Sequence, residues 1–211
     1  MARREKKPLV WFSKVFVDST LLKGFESDTY QNDRDLAVDA MRRNVLGEDL
    51  PAERFATEFW YEYGDTKIRK VPDFAMIGGY WVVSQEMKDV FEQFDLGKTS
   101  FYPTKLYEHN RKTEVAGTHY CINFAEVKNS FLPQHSPEVE KPFKSVDYYK
   151  LEGWMDEGMV AVSDDALDGV DLWLEGSLRK SLFFSDRLVS ALKDAKLTRR
   201  LSLRKCTIID G

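Results

Sequence analysis

Two stretches of this chain, about a hundred residues apart, spell out the same order of apolar run, serine, amphipathic helix and strand. The first begins Trp81-Val82-Val83-Ser84 and the second Leu182-Phe183-Phe184-Ser185. Beyond each serine the apolar positions keep one constant offset, so that Met87, Val90, Phe91, Phe94 and Leu96 match Leu188, Ala191, Leu192, Ala195 and Leu197. Residues three and four apart share a helix face, and each set therefore forms one apolar stripe. Ser84 and Ser185 stand at N-cap positions, and Glu86 and Asp186 place negative charge at the positive end of the helix dipole. Neither site is a full capping box, because the third residue after each serine is Met87 or Leu188.

Strands are expected on both sides of these units. Leu9 to Val17, bounded by Pro8 and Asp18, is rich in β-branched and aromatic residues and reads as a first strand. Its expected partner is the aromatic run Phe59-Trp60-Tyr61-Glu62-Tyr63 before the Gly64-Asp65 turn. Asp33 to Leu46 reads as a helix, with Asp33 as N-cap, a stripe of Leu36, Ala37, Ala40, Met41 and Leu46, and Gly47 as its stop. Further strands are predicted over Ser100–Tyr107, Thr118–Phe124, Met159–Val162, Val170–Leu174 and Leu201–Ile209. Pro103 marks an edge or bulge in the first of these, and Pro133, Pro137 and Pro142 mark a loop. The alternation is too irregular for a doubly wound sheet or a barrel. It predicts an α+β fold with a mixed, mainly antiparallel sheet and a few helices.

The excluded chemistries narrow the function. A net charge of −4, from 31 Lys and Arg against 35 Asp and Glu, gives no global basic field for nucleic acid. No apolar run approaches membrane-spanning length. Arg3, Arg4, Lys6 and Lys7 precede an apolar stretch in the manner of a signal peptide, but Ser13 and Lys14 interrupt it and no small-residue cleavage site follows. Two cysteines give no disulfide framework, and a reduced, cytoplasmic protein is expected. His109, His119 and His135 lack zinc spacing, Asp164 to Glu175 lacks the calcium-loop pattern, and no glycine-rich phosphate cradle or serine-nucleophile elbow occurs. No metal or cofactor is expected. His119 and Cys121 share one strand face, which leaves a thiol-dependent enzyme as an alternative to a structural cysteine.

Charge is uneven in the last third. Between Lys141 and Leu178 there are three basic and nine acidic residues, and from Arg179 to the end nine basic and three acidic. An acidic run is a solvated face or a docking surface for a basic partner. The candidate partner-binding residues are Trp154, Asp156, Glu157, Asp164, Asp165, Asp168 and Asp171, with a tryptophan, Trp154 or Trp173, as anchor. Arg199, Arg200, Arg204 and Lys205 are expected to pair with the chain's own acidic segment rather than with nucleic acid.

Several of these segments occur together in a family. Pro72-Asp73-Phe74, Val82-Val83-Ser84 with its helix, the strand with Phe101 and Pro103, the strand ending in Asn123, Asp171-Leu172-Trp173, and Phe183-Phe184-Ser185-Asp186 with the helix to Leu197 come in an order and spacing that resembles the bacterial immunity-protein domain of polymorphic toxin systems. The resemblance runs from Val71 to Ile209, which divides the chain into a variable N-terminal part, 1–70, packed on an immunity-protein-like domain, 71–211. It implies a non-catalytic antidote that binds a cognate toxin or effector, and it carries over no catalytic residues. Together with the expected location, it points to a toxin acting in the cytoplasm, such as a basic nuclease. A scaffold whose repeat serves self-association is a further alternative.

Overall fold

Both serines cap helices, and the backbone around them repeats in detail. The computed structural model of the chain describes residues 8–65, 67–68 and 70–210; Arg3, Arg4, Lys6 and Lys7 lie outside them. The strands in chain order are β1 (Val10–Ser13), β2 (Leu22–Lys23), β3 (Phe25–Ser27), β4 (Glu58–Tyr61), β5 (Phe74–Ile77), β6 (Tyr80–Ser84), β7 (Ser100–Tyr107) and β8 (His119–Asn123). There follow β9 (Val127–Lys128), β10 (Tyr149–Lys150), β11 (Ala161–Ser163), β12 (Leu172–Glu175), β13 (Leu178–Arg179), β14 (Leu182–Ser185), β15 (Leu203–Lys205) and β16 (Thr207–Ile209). The helices are α1 (Asp28–Asn32), α2 (Arg34–Asn44), α3 (Gln85–Phe91) and α4 (Asp186–Asp194).

Seven strands form one sheet in the order β2-β5-β6-β8-β7-β4-β3, and five form a second in the order β15-β1-β14-β12-β9. Two short parallel pairs join β10 to β13 and β11 to β16. The fold is α+β with mixed, mostly antiparallel sheets, as its sequence predicts.

Taken from one edge, β2-β5-β6-β8-β7 and β9-β12-β14-β1-β15 are the same five-strand pattern. In each, the first pair is parallel and the next three are antiparallel. Ser84 lies opposite His119 as Ser185 lies opposite Val10. Each half of the chain passes through its strands in the same order, yet its opening strand sits in the other half's sheet. β8 lies between β6 and β7, and β1 lies between β14 and β15. The exchanged strands make matching contacts: Tyr120 Oη donates to Gln85 at 2.5 Å, and Trp11 Nε1 to Asp186 at 2.9 Å, each acceptor being the first residue of a helix.

This exchange corrects the expected pairing of the first strand with the Phe59–Tyr63 run, since β4 pairs with β3 and β7 instead. The first strand also ends at Ser13 rather than Val17. Its hydroxyl donates to the Leu201 carbonyl and accepts the Val15 N–H at 3.2 Å, and the chain turns into a 3-10 helix at Val15–Val17. The expected last strand is likewise two: the Cys206 N–H goes to Val10 at 2.9 Å, β15 joins β1 and β16 joins β11. β7 meets β8 from Ser100 but β4 only from Glu58 opposite Lys105, so Pro103, which has no N–H to offer, occupies a stretch with one neighbour.

Successive side chains on each strand enter different apolar clusters. Trp11, Trp81, Val83, Leu182 and Phe184 join Met87, Phe91, Leu188 and Leu192 of α3 and α4 in a central core shared by both sheets. Tyr80, Val82 and Cys121 face the opposite way, onto Ala37 and Ala40 of α2. Phe12, Trp173 and Phe183 face the loops carrying Phe131, Leu151 and Met155. Burial on both faces is why these strands read as continuous apolar runs. Each fully buried Phe of this set contributes roughly 1.5–3 kcal/mol. α2 begins at the predicted cap, where the Asp33 carboxylate accepts the Leu36 N–H at 2.9 Å, and Gly47 lies past its end at φ +83°.

Candidate functional site

The nine carboxylates from Asp147 to Glu175 do not form one surface. Asp171, at the start of β12, is 0% exposed. Its carboxylate accepts the Asp95 N–H at 3.0 Å and the Arg187 guanidinium at 2.5 and 2.7 Å, and the Ser185 hydroxyl also donates to it. A carboxylate removed from water is stable when its lone pairs are taken in this way, and it has none left for a partner. The expectation that Asp171 docks a partner is therefore corrected. Glu175 is also interior, accepting the Ser130 N–H at 3.0 Å, the Ser130 hydroxyl at 2.5 Å, the Phe131 N–H at 3.2 Å and Trp173 Nε1 at 3.0 Å.

Asp156 and Glu157 are exposed but matched by charge. Arg204 lies 3.1 Å and Lys14 3.9 Å from Asp156, and Lys205 lies 3.6 Å from Glu157. Arg204 and Lys205 thus pair with the acidic segment as expected. Arg199 and Arg200 do not: among the described residues no carboxylate lies within 4.0 Å of either. They stand where the chain leaves α4, well before β15 carries Arg204 and Lys205 to Asp156. Trp154 borders the paired charges and is 54% exposed, whereas Trp173 is buried and stacked on Phe183 at 5.8 Å.

Asp164, Asp165 and Asp168 remain. They project from the 3-10 turn Asp164–Leu167 and its following residue, all three exposed, with no ion pair among the described residues. The turn is held from behind by Lys128, whose ammonium donates to the carbonyls of Ala166 at 3.1 Å and Asp168 at 2.7 Å while lying over the Trp173 ring. Burial pulls the Lys128 pKa down, and nearby Glu175 and Asp171 oppose that shift. Half-exposed Leu167 and Asp168 rim a cleft of about 540 Å³ that also takes in Leu9, Val10, Asp186 and Arg187. In the chain β11 lies between this turn and the segment that carries Trp154, Asp156 and Glu157. The seven candidates therefore divide into an uncompensated acidic turn, a neutralised patch beside Trp154, and one structural group.

His119 and Cys121 are core groups. Cys121 is fully buried, its Sγ 3.7 Å from the Ala56 carbonyl oxygen, and burial pushes its thiol well above the usual range. Burial likewise lowers the His119 pKa, with Gly117, Glu86 and Asp73 partly opposing it. Both effects favour the neutral forms, and a thiol with no exposed surface offers no nucleophile to a substrate, which argues against the thiol-enzyme alternative. Cys206 is buried with a raised thiol too. Among the described residues no three His, Cys, Asp or Glu side chains are grouped to hold a metal, and no helix is long and apolar enough to cross a membrane.

The Immunity protein family (Imm11) matches residues 29–206. The chain belongs to this family. No curated protein matches it. Membership gives this immunity protein an antitoxin role and implies a cognate toxin as its partner. The matched span opens well before Val71 and takes in α2 and β4, leaving β1 outside. Arg187, in the first turn of α4, escaped the sequence reading, although a cation at the positive end of a helix dipole is a sign that a carboxylate waits nearby.

Proposed function

We propose that this immunity protein neutralises a toxin acting in the cytoplasm, and that the turn carrying Asp164, Asp165 and Asp168 is where the toxin's basic surface docks. The observation that carries this reading is the contrast within the acidic segment: three exposed carboxylates have no ion pair among the described residues, one of them, Asp168, on the rim of a cleft that Leu9 and Leu167 also line, while their neighbours are buried or already paired. Free carboxylates in one turn steer a cationic partner and set its register, and Leu167 with Leu9 offers the apolar contact that holds it. Trp154 lies in the segment before β11, where a toxin that reaches both gains an aromatic anchor. Binding then occludes the toxin's active site or blocks a motion it needs. Two buried, unpaired thiols support a reducing compartment.

The test is association of the purified protein with its cognate toxin, combined with rescue of cells expressing that toxin. Charge reversal of Asp164, Asp165 and Asp168 to lysine is expected to slow association at low salt by about tenfold or more and to flatten its salt dependence. Unchanged association and salt response in that variant refute the docking surface. Failure of the unmutated chain to relieve toxicity refutes the antitoxin reading itself.

A further inference from the structure

The duplication allows each half to act as the control for the other. Ser84 donates its N–H to the Asp73 carbonyl and Ser185 to the Asp171 carbonyl, each at 3.0 Å, so Asp73 and Asp171 are matched positions. By the same register Lys70 matches Asp168, Lys196 matches Asp95, and Lys23 matches Lys128, which lie opposite Ile77 and Glu175 respectively.

In the second half the side of this region that faces Asp95 is closed, although the cleft of about 540 Å³ at Asp168 and Arg187 lies beside it. The Asp171 N–H donates to the Asp95 carbonyl at 2.7 Å, the Asp95 N–H returns to the Asp171 carboxylate, and Lys128 ties down the carbonyls at Ala166 and Asp168. In the first half it is open. Two clefts, of about 350 and 430 Å³, share Lys70 and Val71 as a common wall. Lys23, Lys67, Lys70, Lys196, Arg199 and Arg200 line them, against the single carboxylate of Asp73. Among the described residues none of these six cations has a carboxylate within 4.0 Å. A chain of net charge −4 has thus placed cations at Lys70 and Lys196, where its other half carries Asp168 and Asp95.

We propose that these paired basic clefts seat an extended acidic segment of a partner protein, a second contact surface opposite in sign to the acidic turn. The floors decide between an acidic protein segment and a bare anion. Val71, Phe74 and Leu197 line one cleft together with its cations, and Phe25, Tyr61 and Ile68 line the other. Walls that carry both cations and apolar side chains fit a chain that carries both carboxylates and apolar residues. A bare phosphate would leave those apolar walls uncovered. The inference stands apart from the docking of toxin on the acidic turn, since it is read without toxin.

A fluorescein-labelled peptide of alternating Glu and Leu, titrated into the full chain and followed by anisotropy, tests it. Binding is expected at low salt, and the triple variant K70E, R199E and R200E is expected to weaken it at least about tenfold. A control variant with the same change of net charge, K112E, K144E and K180E at exposed positions elsewhere, is expected to change it by less than about threefold. Thermal melting confirms that both variants fold. Loss of binding that is equal in the two variants, competition by inorganic phosphate or duplex DNA as strong as that of unlabelled peptide, or no binding of the peptide at all, each overturns the proposal.

Discussion

Replacing Asp171 by alanine separates the carboxylates that hold the fold from those free to bind. Asp171 receives four hydrogen bonds, two from Arg187, one from the Asp95 N–H and one from the Ser185 hydroxyl. Arg187 has a side chain 63% exposed, so its two bonds return to water and count for little. The other two are bonds to an ionised acceptor, worth about 1.5–3 kcal/mol each, and the orphaned Asp95 N–H loses its only anionic partner. The expected loss is about 3–4 kcal/mol, roughly a 10 °C fall in melting temperature for a chain of this size. Urea unfolding followed by circular dichroism measures it, with an unchanged slope confirming that the native and denatured states keep their extent. Toxin association per folded molecule should keep its salt dependence. The D164K, D165K and D168K variant should show the reverse pattern, near-native stability with altered association. A D171A cost below about 1 kcal/mol, or an effect on salt dependence equal to that of the triple variant, refutes the division.

The matched caps should differ in a defined direction. Ser84→Ala removes one bond to the Met87 N–H and is expected to cost about 1 kcal/mol, whereas Ser185→Ala also removes the donor to Asp171 and should cost about 2–3 kcal/mol; equal costs from urea titration would contradict the network. His119 is held neutral by burial, so its folded pKa lies below the ordinary 6.5. The stability it contributes is complete above about pH 6.5 and declines as the pH falls from there towards the folded pKa, because the unfolded chain takes the proton first; His119→Gln should flatten unfolding free energy over that window. Cys121 should react with iodoacetamide only on unfolding, and labelling at the rate of a free thiol in the native protein would contradict its burial. Lys196 closes α4 at φ +60°, a position that favours glycine, so Lys196→Gly should raise stability by about 0.5–1 kcal/mol while weakening capture of the acidic peptide.

The sequence showed most clearly what is local. The α2 cap at Asp33 and both serine caps depend on neighbours within one turn, and the structure has them where the spacing places them; the apolar stripes run past the helices, since α3 ends at Phe91 and α4 at Asp194, and Ala195 is exposed. Strand partnership is not local. The alternation of Phe59, Tyr61 and Tyr63 says which face of a strand is apolar, but nothing in it says that β1 belongs between two strands from the far end of the chain. The same limit governs the acidic segment. Asp164 and Asp171 are alike as letters, yet one stands in water on a turn and the other is closed beneath Arg187, a residue sixteen positions on. Charge counts report composition, whereas availability depends on which cations the fold brings alongside.

The strand exchange explains why the two halves can differ at these rims without loss of the fold. Each sheet takes its fourth strand in the pattern from the opposite half, and both neighbours of that strand bond to it, so neither half completes its sheet alone. The central core confirms the interlock, since Trp11 from β1 packs there with Leu182 and Phe184, and Ile122 from β8 with Trp81 and Val83. Stability is therefore set jointly by the interlocked sheets, with the Asp171 network as an addition at one strand end. The halves diverge at their rims: Asp168 against Lys70, Asp95 against Lys196, and Lys128 bonded to the carbonyls of Ala166 and Asp168 against Lys23 bonded to that of Thr20. A duplicated framework with divergent rims supplies two surfaces of opposite sign on one core, and substitutions at either rim leave the shared interior intact.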